Sequence, residues 1–230
     1  MLDGAWRSLV ARLPWAQEVP GSSLGAPTNL RRMMNIEDLR KAAKDLIYRD
    51  IYDLAAANDI TNGHIRLYDD IDECVLLEIS RSLNLVHGLG IAPIQIHISS
   101  PGGGVHHSLA MYDLIREVAN LTEVKGIVEG FAASAAAMIV LQGCTWRQAC
   151  KHSRLHLHEL SKWTIMEQQK ESDLEDTTAE MKTLQELVID ILASRTGKSK
   201  GEVLEFFRRR ERWLGPKEAK EFGLIDEVLG

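Results

Sequence analysis

The chain has 230 residues, 45% of them hydrophobic, enough for one sizeable core with room for an appendage. A formal charge of -6 argues against a nucleic-acid binder, which would show a basic face, and no apolar run approaches the ~18 residues of a membrane span. Cys74, Cys144 and Cys150 are an odd count without paired metal-ligand spacing, so neither a disulfide framework nor a zinc site is indicated, and no cofactor is implied.

Residues 1–35 carry Trp6, Trp15, Pro14, Pro20 and Pro27 and a Gly/Ser/Pro-rich stretch, and are expected to be an arm or linker outside the core. Arg7 and Arg12 interrupt their only apolar run, so no secretory signal is read there and a soluble cytoplasmic protein is expected. The domain proper is placed at 36–230. Asn35 is a good N-cap for a first helix with Ile36, Leu39, Ala43, Leu46, Ile47, Ile51 and Leu54 on one side, ending in a turn over 58–63.

Strand and helix then alternate. His64–Ile71 reads as a strand and Glu73–Val86 as a helix; Pro93–Ser99 alternates Ile94, Ile96 and Ile98 with polar residues, a strand signature. Ser100-Pro-Gly-Gly-Gly104 is a backbone-exposing loop before a helix over Val105–Val118. The order repeats with a strand at Gly126–Phe131, a small-residue junction at Ser134, a helix at Ala135–Leu141 and a strand at Leu155–His158, predicting an α/β fold with right-handed crossovers. A long helix is expected over Ile165–Arg195, solvated in its first half and amphipathic in its second, projecting before it packs. Gly197 is placed to stop it, Ser199-Lys-Gly-Glu202 fits a capping box, and Pro216 and Gly223 bracket a last short helix before an edge segment at Leu224–Leu229.

Ser134, at the start of a helix that follows a strand, fits either a helix cap or a nucleophile whose oxyanion the helix N-terminus would stabilise. Serine hydrolysis needs a nucleophile, a base, an acid to orient the base, and two N–H donors. The amide of Ala135 can supply one donor and the Gly102–Gly104 loop another, since glycine lets backbone approach a ligand closely. His156 and His158 share one face of a strand, and spacing does not choose between them as base; the acid has 33 acidic residues as candidates. The sequence has no Gly-x-x-x-x-Gly-Lys-Ser/Thr phosphate loop and no Gly-x-Ser-x-Gly elbow, and no carboxylate or cysteine pattern completes a metal site around His106, His107, His152, His156 and His158.

From about residue 45 to the C-terminus the chain resembles the Clp protease proteolytic subunit, the ClpP family of serine peptidases. Four ordered motifs carry the resemblance: Ile98-Ser-Ser-Pro-Gly-Gly103 followed by Met111-Tyr-Asp113; Gly130-Phe-Ala-Ala-Ser-Ala135; Ser153-Arg-Leu-His-Leu-His158; and Arg210-Glu-Arg-Trp-Leu-Gly-Pro-Lys-Glu-Ala219 with Gly223-Leu-Ile-Asp226. The resemblance implies a ClpP/crotonase-like α/β fold, a superhelix of repeated β-β-α units with a projecting handle helix over Ile165–Arg195. It implies Ser134 as nucleophile, His158 as base, Glu211 at the position of the family's aspartate, and the amides of Gly103 and Ala135 as the oxyanion hole. Gly102 and Gly104 would flank an extended unfolded polypeptide bound by strand addition. It further implies a homo-oligomer of two stacked heptameric rings with the sites inside, served by an AAA+ unfoldase. The chain departs from the family at Glu211 and at Glu159-Leu160, where the family has Gln-Pro, so a ring subunit with weak or no activity is the alternative expectation. A crotonase-type acyl-CoA enzyme shares the architecture but needs neither a serine nucleophile nor the His158 base, and the combined motifs argue against it.

Overall fold

The alternation that marks Pro93–Ser99 in the sequence becomes the centre of a mostly parallel sheet. In β2 (Ile94–Ser100), Ile94, Ile96 and Ile98 are buried while Gln95 and His97 face the other side. β1 (His64–Leu67) and β3 (Val124–Ala133) flank it in parallel, with Ile65 beside Ile96, Leu67 beside Ile98, and Ile98 beside Val128. β4 (Trp146–Cys150) and β7 (Glu227–Leu229) extend the order to β1-β2-β3-β4-β7, while β5 (Arg154–Leu157) pairs with β3 and carries the antiparallel β6 (Arg212–Leu214).

The computed structural model describes residues 55–160, 171–208 and 210–230, with the side chains of 171–177 excepted. The arm expected over 1–35 and most of the helix expected from Asn35 lie outside the described residues, as does the start of the long helix. Residues Asp53–Gly230 form one unit.

The helices follow from the sequence's periodicities and caps. α1 covers 55–61. α2 (Glu73–Gly88) begins at Asp72, whose carboxylate accepts the Val75 N–H at 2.8 Å, and buries Ile79, Leu83 and Val86. α3 (Val105–Ala119) buries Met111, Ile115 and Val118. α4 starts as a π-helical turn at Ala136–Val140 and continues through Leu141–Gly143, every residue buried. α5 (Glu171–Thr196) seats Val188 and Leu192 in the same core, and Gly197 ends it with a positive φ of 71°. α6 (Lys200–Phe207) has the expected capping box, with Ser199 and Glu202 bonded reciprocally, and α7 (Pro216–Phe222) stops at left-handed Gly223.

Two strands escaped the sequence reading, each for a physical reason. In β4 an inward position is occupied by a charge, Arg147, so hydrophobic alternation is broken; β6 is three residues long. Arg147 tolerates burial because Asp226 receives its guanidinium at 2.6 and 3.0 Å, while Gln142 Oε1 and the Gly223 carbonyl accept from its Nη1. The opposite face of the sheet is also linked: Arg66 donates to Tyr68, Tyr68 donates to Glu129, and Glu129 bonds His97, which bonds His64, tying three strands side by side.

Burial pushes the Asp226 carboxyl up, but hydrogen bonds from the Arg147 side chain and backbone outweigh it and hold the group below its ordinary value. A lowered folded value means the contribution is complete above the unfolded carboxylate range, about pH 3.9, and is lost as pH falls through the folded value. Asp226→Ala is therefore expected to cost about 3 kcal/mol in chemical denaturation at neutral pH, with the gap from native protein closing in strong acid.

Candidate active site

β3 is ten residues long and changes partner along its length. Lys125–Val128 pair with β4, whereas Phe131–Ala133 pair with β5, and between them Gly130 takes a positive φ of 77°. The second pairing sets β5 beside the end of β3, where the strand stops at Ser134. Ser134 is the only described non-glycine residue in the left-handed region, at φ 54°. This conformation costs on the order of 1 kcal/mol and turns the chain sharply from strand to helix. The turn is held from three sides. The Ser134 N–H donates to the His156 carbonyl at 3.0 Å, and the Ser134 carbonyl accepts from Ala137 and Met138 at 3.1 and 2.9 Å.

His158 closes on the serine from the end of β5, its Nε2 lying 2.8 Å from Ser134 Oγ. Its Nδ1 lies 2.5 Å from the carbonyl oxygen of Glu159. A carbonyl only accepts, so Nδ1 carries the proton; in the neutral ring Nε2 then carries the lone pair and receives the Ser134 hydroxyl proton.

The glycine loop approaches from the β2 side. Ser100, fully buried, donates its hydroxyl to the Asp69 carbonyl at 2.7 Å and accepts the Gly102 amide at 3.1 Å. Gly102 presses on the serine turn: a Cβ there would stand 2.6 Å from the Ala133 carbonyl oxygen, 2.8 Å from Ser134 Cβ and 2.9 Å from the Ala135 nitrogen, at a φ of 93°. Ile71 bridges the loop in parallel, donating to the Gly102 carbonyl at 2.7 Å and accepting from Gly104 at 2.8 Å. In a parallel bridge the middle residue's own amide and carbonyl face away from the partner, so the Gly103 amide is not used by Ile71. Because Ser134 spends its own amide on His156, the first amide of the following helix is that of Ala135, which has no intrahelical acceptor.

The structure thus brings Ser134, His158, Ala135 and Gly102 together, with Gly103 and Gly104 in the adjoining loop. It sets Glu211 elsewhere. The Glu211 carboxylate is 77% exposed and lies 3.9 Å from Nε2 of His156, with no ion pair to His158. His156 itself is partly buried, its side chain 12% exposed, and stacks on Trp213 from β6 with centroids 4.4 Å apart; its ring centroid is 5.3 Å from that of His158. Burial first, and then the neighbouring His158 charge, push the His156 pKa down, with Glu211 acting in the opposite direction. Sequence spacing left the two histidines equivalent; antiparallel pairing with β6 separates them, because it covers His156 with an indole. The acceptor behind His158, the Glu159 carbonyl, belongs to the main chain and leaves no signature in residue type.

Among the described residues no group of three or more His, Cys, Asp or Glu side chains is arranged to hold a metal ion, and no helix is long and apolar enough to cross a membrane.

The fold and this arrangement define an α/β protein with a serine–histidine pair at the C-terminal ends of its parallel strands, a constellation suited to acyl transfer. Comparisons with known proteins specify the class further. The family model for Clp protease matches residues 49–230, and the chain belongs to that family. It is 36% identical over 137 residues to an ATP-dependent Clp protease proteolytic subunit of Bacteroides fragilis, covering 59% of this chain and 63% of that protein. It is 37% identical over 138 residues to proteolytic subunit 3 of Synechococcus, covering 60% and 66%. The chain therefore spans less than two thirds of the length of these curated relatives. A solved structure of a ClpP1 point mutant from Listeria monocytogenes superposes with a TM-score of 0.67 at 22% identity, covering 76% of this chain and 95% of that one, so the ClpP-like α/β fold expected from the motifs is the fold of this chain.

Gly102→Ala forces a side chain into the serine turn at a strained φ. We expect fluorophosphonate labelling at Ser134 to slow by about 100-fold or more while far-ultraviolet circular dichroism stays native, since displacing catalytic groups by about 1 Å costs rates of that order.

Proposed function

We propose that this protein is a serine endopeptidase subunit that hydrolyses peptide bonds of unfolded polypeptides through an acyl-enzyme on Ser134, within an oligomeric ring chamber. The observation that carries the proposal is the 2.8 Å contact between His158 Nε2 and Ser134 Oγ, made by a ring whose other nitrogen is committed to a carbonyl. Ser134 Oγ attacks the scissile carbonyl as its proton passes to His158 Nε2. The resulting oxyanion is met by the amides of Gly103 and Ala135, and the amine leaves with the proton from His158. Water, deprotonated by the same nitrogen, then releases the acyl group. The extended substrate adds as a strand beside the glycine loop, with Gly102 and Gly104 permitting close backbone approach. Copies of the chain assemble as stacked rings, with α5 as the handle between them and an AAA+ unfoldase as the supplier of unfolded chains.

Glu211 has a lesser part in this proposal than as a triad acid, because its carboxylate faces His156. The same observation favours a second reading, a ring subunit with little turnover, in which assembly is retained and the acid is not in place. The two separate by experiment. A fluorophosphonate probe is expected to label the native protein at Ser134, with labelling abolished in Ser134→Ala and greatly slowed in His158→Ala; native protein that stays unlabelled under conditions that label an active serine peptidase supports the second reading.

A triad acid replaced by its amide typically costs about 10⁴-fold in rate. We expect Glu211→Gln to change the labelling rate by less than about tenfold, because the bond that orients His158 is made to the main chain. A loss near the triad value would return Glu211 to the role of acid.

A further inference from the structure

The carbonyl behind His158 belongs to the Glu159–Leu160 peptide, and that peptide is held by its other end. The Leu160 N–H donates to Oε1 of Gln185 at 2.9 Å, and Gln185 stands on α5, outside the strand-and-loop cluster that makes the site. The bonds form one continuous chain: Ser134 Oγ to His158 Nε2, His158 Nδ1 to the Glu159 carbonyl, and Leu160 N–H to Gln185 Oε1. From this geometry we infer that Gln185 is a positioning residue for the catalytic histidine, acting through the intervening peptide.

Three observations support the inference. First, the peptide group is the only connection between the two bonds, and its planarity makes the direction of its carbonyl follow the direction of its N–H. Fixing Leu160 N–H on Gln185 therefore aims the Glu159 oxygen at Nδ1. A peptide whose N–H is bonded is also more polarised, which strengthens its carbonyl as an acceptor. Second, the orientation of the Gln185 amide is chemically determined, since Leu160 N–H requires the oxygen. Among the described residues the buried Nε2 of Gln185 has no hydrogen-bond partner, an arrangement that costs free energy and is retained while Oε1 holds the peptide. Third, the backbone of Gln185 is anchored: Leu184, Val188 and Ile189 beside it are buried, and Leu160 packs against the same core. The long helix thereby sets the imidazole's angle from a rigid base, in the place where a carboxylate would do so in a Ser-His-Asp triad.

The inference rests on Ser134 and His158 being the reacting pair, and its test separates the two claims. The full-length protein, with Gln185→Met and Gln185→Glu variants, is labelled with a fluorophosphonate over a range of concentrations, and proton nuclear magnetic resonance follows the low-field signal of a hydrogen-bonded His158 Nδ1–H. Methionine keeps the volume and removes the acceptor; glutamate keeps an acceptor oxygen. In Gln185→Met the maximal labelling rate is expected to fall by about 10- to 100-fold with the half-saturating concentration within about twofold, and the low-field signal to disappear. Gln185→Glu is expected to stay within about threefold of native and to keep the signal. A Gln185→Met protein that labels at the native rate, or equal losses in both variants, overturns the inference. Should Gln185→Met fail to fold, the comparison of Gln185→Glu with native protein decides, and a loss there of the low-field signal or of more than about tenfold in rate overturns it. If the native protein is not labelled at all, the peptidase reading fails while the signal and its loss in Gln185→Met still test the role of Gln185.

Discussion

The structure depends on the change of partner along β3. A strand of ten residues that is paired on one side with β4 for its first part and with β5 for its last admits β5 beside the point where the chain must turn into α4. That single switch sets the His156 carbonyl on the Ser134 amide and lets His158, just past the end of β5, reach the serine hydroxyl. Gly130, left-handed and nearly free of side-chain demands, sits where β4 leaves and β5 enters. A continuous pairing of β3 with one neighbour would carry the histidines past the site or short of it.

Around this switch the left-handed serine acts as a wedge. Its backbone is strained, and three main-chain hydrogen bonds and the pressing contact of Gly102 hold it in place. The adjoining helix opens with a π-helical turn, a rare geometry that recurs at functional positions, and its small residues are buried without side-chain bulk near Ser134. The pair of buried Arg147 and half-buried Asp226 belongs to the opposite end of the same logic. It fastens β4 to the segment before β7 and so fixes the half of β3 that the switch leaves behind.

The Nδ1 of His158 is met by a backbone carbonyl, that of Glu159. A backbone carbonyl supplies direction and a tautomer but a dipole in place of a full charge, so in the proposed mechanism an imidazolium would be stabilised less than by an ion pair. The Glu211 carboxylate stands behind His156, 3.9 Å from its Nε2. His156, partly desolvated and stacked on Trp213, has its pKa pushed down, chiefly by burial.

Much of this was legible in the sequence. Periodicity located β2, α2, α3 and the second half of α5, and end signals located α6 and α7, because local hydrophobic pattern and capping chemistry are properties of neighbouring residues. The serine turn and the glycine loop were legible for the same reason: a serine between small residues and a run of glycines announce a sharp turn and an exposed backbone wherever they fold. What the sequence could not contain was any relation between residues far apart in it. Only the tertiary structure decided that β4 would bury an arginine, that Trp213 would cover His156 and leave His158 to the serine, that Glu211 would fall beside the former, and that an amide on α5 would meet the peptide behind the latter. Each is settled by strand register or by the packing of a helix across many residues of chain, and a hydrogen bond to a main-chain carbonyl carries no residue type by which a sequence could declare it.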